Sequence, residues 1–128
     1  MSEEQSPVRA SRPAARRPGI RLYVILSRPT ARAGDRDAVR AEHFAYIHDL
    51  EARGVLFAAG PEVDENDKPQ GPGIIIIRAA SLEAARAIAD AEPFHRDRYR
   101  EYDIRSWRIS EGGFGLRVRF TERTFEFE

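Results

Sequence analysis

No cysteine occurs in the 128 residues, which rules out a disulfide framework, a thiol nucleophile and a cysteine-bound zinc site. Lysine is almost missing too: Lys68 stands alone among 21 basic residues, the others all being arginine. Net charge is absent, because 21 basic and 21 acidic residues cancel. No electrostatic bias therefore exists to gather a phosphate backbone or an anionic membrane surface, and neither nucleic acid nor membrane is an expected partner. No run approaches the roughly 18 apolar residues of a transmembrane helix. The Arg16-Arg17 pair precedes only a short apolar stretch, Leu22 to Leu26, which runs into Ser27-Arg28-Pro29 with no small-residue cleavage site, so an export signal is not expected either. The expectation is a cytoplasmic protein.

What is present is the mixture of a globular domain, 41% hydrophobic and 33% charged, in a chain of about one domain's length. Residues 1–18 hold three prolines, four arginines and no aromatic, and read as a flexible tail. Ile20 to Arg28 is rich in β-branched and aromatic residues and stops at Pro29, giving a first strand. A helix capped by Asp35 or Asp37 then runs to about Arg53, with Gly54 where a terminating glycine belongs. On it Val39, His43, Tyr46, Ile47 and Leu50 fall on one stripe, with His48 turned away.

Val55 to Ala59 reads as a short second strand ended by Gly60-Pro61, the polar run Glu62 to Gln70 as a long loop, and Ile74 to Ile77 as a third strand. Ser81 caps a second helix with Leu82, Ala85, Ile88 and Ala89 on its apolar side, and Pro93 ends it or opens a new turn. A polar turn through His95 to Arg100 leads to a fourth strand containing Tyr102, Ile104, Ser106 and Arg108. The order β-α-β-β-α-β predicts an α+β fold, an antiparallel four-stranded sheet with two helices on one face, over residues 19–110. Residues 111–128, where Leu116, Val118, Phe120, Phe125 and Phe127 alternate with polar residues, predict an extra strand or short hairpin.

Leu22 to Leu26 and Ile74 to Ile77 are apolar at consecutive positions, so both faces of the sheet want cover, while two helices shield one. The economical answer is the same sheet of a second copy, a homodimer through sheet faces; the alternative is the C-terminal segment folding back.

His43 carries the most chemical information because it interrupts an apolar stripe, where an imidazole needs a hydrogen-bonding partner. It is either a satisfied structural histidine or a base. Glu92, where the second helix meets Pro93, could turn its carboxylate inward to orient that imidazole; equally, Glu92 and Asp90 could be solvated acids at a helix end. His43 and His48 lie roughly 140° apart around a helix and do not share a ligand face, and His95 falls in a charged, solvated loop. A dedicated metal site is not expected. Gly71-Pro72-Gly73 and Gly112-Gly113-Phe114-Gly115 precede strands, whereas phosphate loops open helices.

Several pieces share one pattern: Leu22-Tyr23-Val24, Arg40-Ala41-Glu42-His43 with Leu50 and Gly54, Ala58-Ala59-Gly60-Pro61, Ser81-Leu82-Glu83-Ala84-Ala85, Ala89-Asp90-Ala91-Glu92-Pro93-Phe94, and a strand ending in Trp107. Over about residues 20–109 they resemble the YCII-related domain family of small bacterial proteins. The resemblance implies a ferredoxin-like fold that dimerises into an α+β barrel, and a site built from a helix histidine and an acid before a Pro-aromatic pair. Those positions are His43 and Glu92 here, with glutamate standing where the family has aspartate. Arg40 matches a recurrent arginine suited to an anionic or phenolic substrate, and Tyr23, Gly60 and Asp90 join it as candidate substrate contacts. Dehydrochlorination of a chlorinated hydroxyhydroquinone is among the family's activities. The implied function is a lyase or isomerase that abstracts a proton from a small cyclic or aromatic substrate and needs no cofactor. The alternative is a non-catalytic small-molecule-binding or dimeric interaction module.

Overall fold

The computed structural model describes residues 19–128, and the tail read over 1–18 lies outside the described residues. Six strands and three helices follow in the order β1 (Ile20–Pro29), α1 (Asp37–Ala52), β2 (Leu56–Val63), β3 (Pro69–Ile77), α2 (Leu82–Ala91), α3 (Pro93–Arg96), β4 (Arg100–Ile109), β5 (Leu116–Arg119) and β6 (Thr124–Phe127). The first four strands form one antiparallel sheet in the order β2-β3-β1-β4, and β5 and β6 form a separate two-stranded sheet. The α+β fold with a four-stranded antiparallel sheet is the expected one, and the C-terminal addition is a hairpin.

Local chemistry sets the element ends. α1 has no side-chain cap at Arg36; Asp35 Oδ1 accepts from the Asp37 N–H at 2.9 Å instead, one residue ahead of the usual cap. Its far end closes through two reversed bonds, Gly54 N–H to the Glu51 carbonyl (3.0 Å) and Val55 N–H to the Leu50 carbonyl (2.9 Å), with Gly54 at φ +74°. Glycine reaches that left-handed conformation without a Cβ clash. Ser81 Oγ accepts from the Ala84 N–H at 3.1 Å and starts α2.

The long loop expected over Glu62 to Gln70 is instead the tip of a β-hairpin. β2 continues through Gly60-Pro61 to Val63, and only residues 64–68 turn. Asp64 organises that turn, its Oδ1 accepting from the N–H groups of Asn66 (2.7 Å) and Lys68 (3.0 Å), while Asp67 takes φ +65°. Pro61 survives inside a strand because β2 is at the sheet edge and its pairing with β3 is irregular between Pro61 and Val63. Pro69 and Pro72 fall where β3 has run past β1, whose pairing begins at Gly73.

Along β1 the side chains alternate. Tyr23 and Ile25 meet Ile75, Ile77 and Ile104 beneath Ile47 and Leu50 of α1 and Ala85 and Ala89 of α2, forming the main core. The intervening residues face the other way: Leu22 is fully buried, Val24, Leu26, Ile74 and Ile76 are half-buried, and Trp107, paired with Leu22, is 44% exposed. Among the described residues no helix covers that second face. A smaller cluster of Val39, Phe94 and Tyr99 joins α1, α3 and the turn before β4, and beside it lies the site.

Candidate functional site

The junction of α2 and α3 follows from four residues. Pro93 occupies the first helical position of α3, where its missing N–H is no loss, and Glu92 precedes it as the N-cap. Glu92 cannot continue α2 because the residue before a proline is pushed out of the helical region; its φ/ψ is −63°/127°. From there its side chain folds back, Oε1 accepting from the Phe94 N–H at 2.7 Å. Oε2 lies 3.2 Å from Nδ1 of His43. The carboxylate is almost wholly buried, 3% exposed, whereas the imidazole retains 22%. Thus neither Glu92 nor His43 is a free surface group.

An ionised carboxylate only accepts, so its partner His43 Nδ1 carries the hydrogen and Nε2 presents the lone pair. Among the described residues no side chain hydrogen-bonds to that Nε2. The ring is flanked by Phe94 at 5.0 Å and Phe44 at 5.1 Å between centroids. One turn on, Tyr46 donates its hydroxyl to the Ile88 carbonyl at 2.8 Å, tying α1 to α2. Burial raises the Tyr46 pKa above its usual value, which keeps that phenol protonated as a donor.

Behind the pair lies a second polar chain. His95 Nδ1 bonds the Ala89 carbonyl at 2.8 Å, and its Nε2 bonds Ser27 Oγ at 2.8 Å. Because a carbonyl cannot donate, Nδ1 holds the hydrogen and Ser27 donates to Nε2; Arg100 Nε in turn donates to Ser27 Oγ at 2.8 Å. His95 is buried, and burial first of all lowers its pKa, with Arg100 acting in the same direction and the Ala89 bond, Glu92 and Asp90 opposing. The expected solvated His95 is therefore corrected. The charged run His95 to Arg100 begins inside the one-turn helix α3, for which Pro93 with its capping acid is the signal. Ser27 and Arg100 were not singled out in the sequence; Ser27 follows Tyr23 and Ile25 at every second position of β1, which places a hydroxyl on the core side.

A cavity of about 520 Å³ opens beside this chain, with Asp90, His95, Arg98, Arg100 and Tyr102 in its wall. Tyr102 donates to Asp90 Oδ1 at 2.7 Å, and the Tyr102 ring lies 4.9 Å from that of His95.

The YCII-related domain profile matches residues 21–108, most of the chain. The chain belongs to the YCII-related domain family. Two Protein YciI sequences, from Escherichia coli O6:H1 (strain CFT073) and Shigella flexneri, are each 41% identical over 80 residues, covering 57% of this chain and 81% of the relative. Among solved structures, the 5-chloro-2-hydroxyhydroquinone dehydrochlorinase TftG of Burkholderia phenoliruptrix AC1100, in complex with 2,5-dihydroxybenzoquinone, superposes with a TM-score of 0.55 at 22% identity, over 70% of this chain and 95% of that one. That likeness is one of fold.

Within this YCII-related chain the six candidate residues do not form one cluster. His43 and Glu92 are in contact. Arg40 stands one turn before His43 with an exposed side chain 3.8 Å from Asp37. Asp90 faces Tyr102 and the cavity, away from His43. Tyr23 is buried in the main core, with the Arg21 guanidinium 5.9 Å from its ring. Gly60 sits on edge strand β2 opposite Ile74, on the sheet side away from the helices. No helix among the described residues is long and apolar enough to cross a membrane.

Proposed function

We propose that His43 and Glu92 form a cofactor-independent acid–base site that removes a proton from a small cyclic or aromatic substrate, leading to elimination or isomerisation. The observation that carries this reading is the buried Glu92 carboxylate 3.2 Å from His43 Nδ1, which fixes the tautomer with the lone pair on the outward nitrogen. In an elimination, the substrate proton moves to His43 Nε2, the electron pair forms the new double bond, and the leaving group departs as an anion. Glu92 steadies the resulting imidazolium. Arg40, with an exposed side chain one turn before His43, holds an anionic or phenolic oxygen of the substrate. The named activity of the structural relative, dehydrochlorination of a hydroxyhydroquinone, belongs to the same reaction class.

The test is chloride release from chlorinated hydroxyhydroquinones, with a parallel search for lactone isomerisation. His43→Ala is expected to lower kcat/KM by about 10²–10⁴-fold while leaving circular dichroism unchanged. Full turnover by that variant refutes the assignment. We also propose that the protein is a homodimer through its sheet faces, supported by the half-buried Val24, Leu26, Ile74 and Ile76 and the exposed Trp107 on the helix-free side.

A further inference from the structure

The cavity of about 520 Å³ beside the Ser27–His95–Arg100 chain is separate from the His43–Glu92 pair, neither member of which lines it. The charges in its wall are unevenly paired. Glu101 is taken by Arg28 at 3.2 Å, Asp90 accepts from the Tyr102 hydroxyl at 2.7 Å, and Arg96 is held by Glu42 and Asp97, each at 2.8 Å. Arg98 and Arg100, in the same wall, form no salt bridge among the described residues.

Arg100 is half-buried. Its Nε donates to Ser27 Oγ at 2.8 Å, and its Nη2 donates to the carbonyls of Ser27 (3.1 Å) and Gly71 (2.6 Å), all neutral acceptors. These bonds leave Nη1 without a partner among the described residues. Burial above all lowers the Arg100 pKa; the Glu92 carboxylate opposes that fall and the Arg36 cation adds to it. A guanidinium stays ionised in a protein, so a partly desolvated one with no bonded carboxylate is stabilised by an anion.

Arg98 supplies an independent observation. α3 ends in two reversed bonds, Tyr99 N–H to the Phe94 carbonyl at 2.9 Å and Arg98 N–H to the His95 carbonyl at 3.1 Å. This closure holds the residue after the C-cap in the left-handed region, where glycine is the usual occupant, and Arg98 has φ +64° there. Gly54 fills the equivalent place after α1. At Arg98 the chain thus carries backbone strain that a glycine would relieve, and what the arginine adds is a cation in the cavity wall.

The rest of the wall narrows the ligand. The rings of His95 and Tyr102, 4.9 Å apart, offer a flat surface to an unsaturated body. Asp90 and Glu101 repel a multiply charged guest, so a single negative charge suits the two guanidiniums better than a phosphate dianion. A carboxylate also matches the guanidinium fork.

We propose that this cavity is a second binding site, which takes a small organic monocarboxylate on Arg98 and Arg100 with its carbon body against Tyr102. Occupancy of this site is independent of any reaction at the His43–Glu92 pair.

The experiment is an NMR titration of the full chain with benzoate at fixed pH and ionic strength, with benzamide and inorganic phosphate as comparison ligands. His95 is the histidine in the cavity wall, so its ring signals, assigned by elimination through His43→Ala and His48→Ala, report occupancy there. Benzoate is expected to shift them saturably, with a Kd at least tenfold below those of benzamide and phosphate. Arg98→Gly and Arg100→Gln are each expected to raise that Kd at least tenfold, and Arg117→Gln, on the C-terminal hairpin, to leave it unchanged. Arg98→Gly is also expected to raise the urea midpoint, which separates its loss of binding from any loss of fold and decides the matter should Arg100→Gln fail to fold. A benzoate titration without a saturable His95 shift overturns the site, as does an unchanged Kd or a lowered urea midpoint in Arg98→Gly. Benzamide binding as tightly as benzoate overturns recognition by charge, and phosphate binding as tightly overturns the monocarboxylate.

Discussion

Replacing Glu92 separates its two jobs. Glu92→Ala takes away the acceptor of the Phe94 N–H, the partner of His43 Nδ1 and a buried stretch of side chain. A buried N–H without an acceptor costs about 1–3 kcal/mol, and each lost methylene about 0.8 kcal/mol. Against this, the alanine protein no longer holds a desolvated charge. Glu92→Gln sheds the same charge yet keeps the volume and one oxygen for the Phe94 N–H. The charge relief is common to both variants, so the difference between them reports capping, packing and the hydrogen bond to His43 together, about 2 kcal/mol or more with alanine the weaker.

Urea denaturation reads that difference directly. With m of about 2 kcal/mol/M, the Glu92→Ala midpoint falls about 1 M below that of Glu92→Gln, at equal m. Activity is expected to follow a different order. A glutamine that gives its oxygen to Phe94 turns its NH₂ towards His43, which then must accept at Nδ1 and carry its hydrogen on Nε2. The lone pair disappears from the outward nitrogen, and turnover is lost in the variant that remains well folded. Coincident midpoints for the two variants would falsify the capping role, and a fully active Glu92→Gln would remove the carboxylate from the mechanism.

Two further outcomes follow from other residues. Because burial holds the His95 pKa below 6.5, the unfolded chain takes up a proton at a pH where the folded one does not. Stability is therefore complete above about pH 6.5 and declines as the pH falls through the region between that value and the lower folded one; His95→Asn should flatten urea midpoints there, and an unchanged slope would contradict it. Gly54→Ala should cost about 1 kcal/mol by urea titration, all of it from backbone strain, since φ is +74° and nothing lies within 4 Å of an added Cβ; an unaffected midpoint would mean that the α1 terminus rearranges freely.

How far the sequence could be read depended on whether a residue answered to its own neighbours or to the whole fold. The helix stripe of α1, the Ser81 cap, Gly54 and the four consecutive isoleucines of β3 are local signals, and the sheet with its helices follows from them. The β2–β3 hairpin was hidden because Pro61, Pro69 and Pro72 look like strand breakers. They are tolerated only since β2 is an edge and β3 overshoots β1, facts of sheet order that no window of sequence contains. The site divides in the same way. His43 stands out as a polar residue in an apolar stripe, whereas the Ser27–His95–Arg100 chain joins residues 68 and 73 positions apart; strand alternation puts Ser27 on the core side, but nothing local distinguishes His95 and Arg100 from surface polar groups.

That chain explains how a one-turn helix can hold a carboxylate in place. α3 alone has too few hydrogen bonds to be stable, and its cap is Glu92 itself. Its position is fixed from outside: His95 pins it to β1 through Ser27, the Ala89 carbonyl ties the same ring to α2, and Phe94 packs against Val39 and Tyr99. The Glu92 carboxylate thus inherits its position from α2, β1 and α1 together, and the imidazole it orients is on the sixteen-residue α1, itself bound to α2 through Tyr46. The proposed base and its orienting carboxylate are thus set by packed elements, while Arg40 and Phe44 project from the same helix with exposed side chains. On the proposed mechanism the His43–Glu92 geometry is therefore tied to the fold, whereas an exposed side chain such as Arg40 can be exchanged without disturbing it.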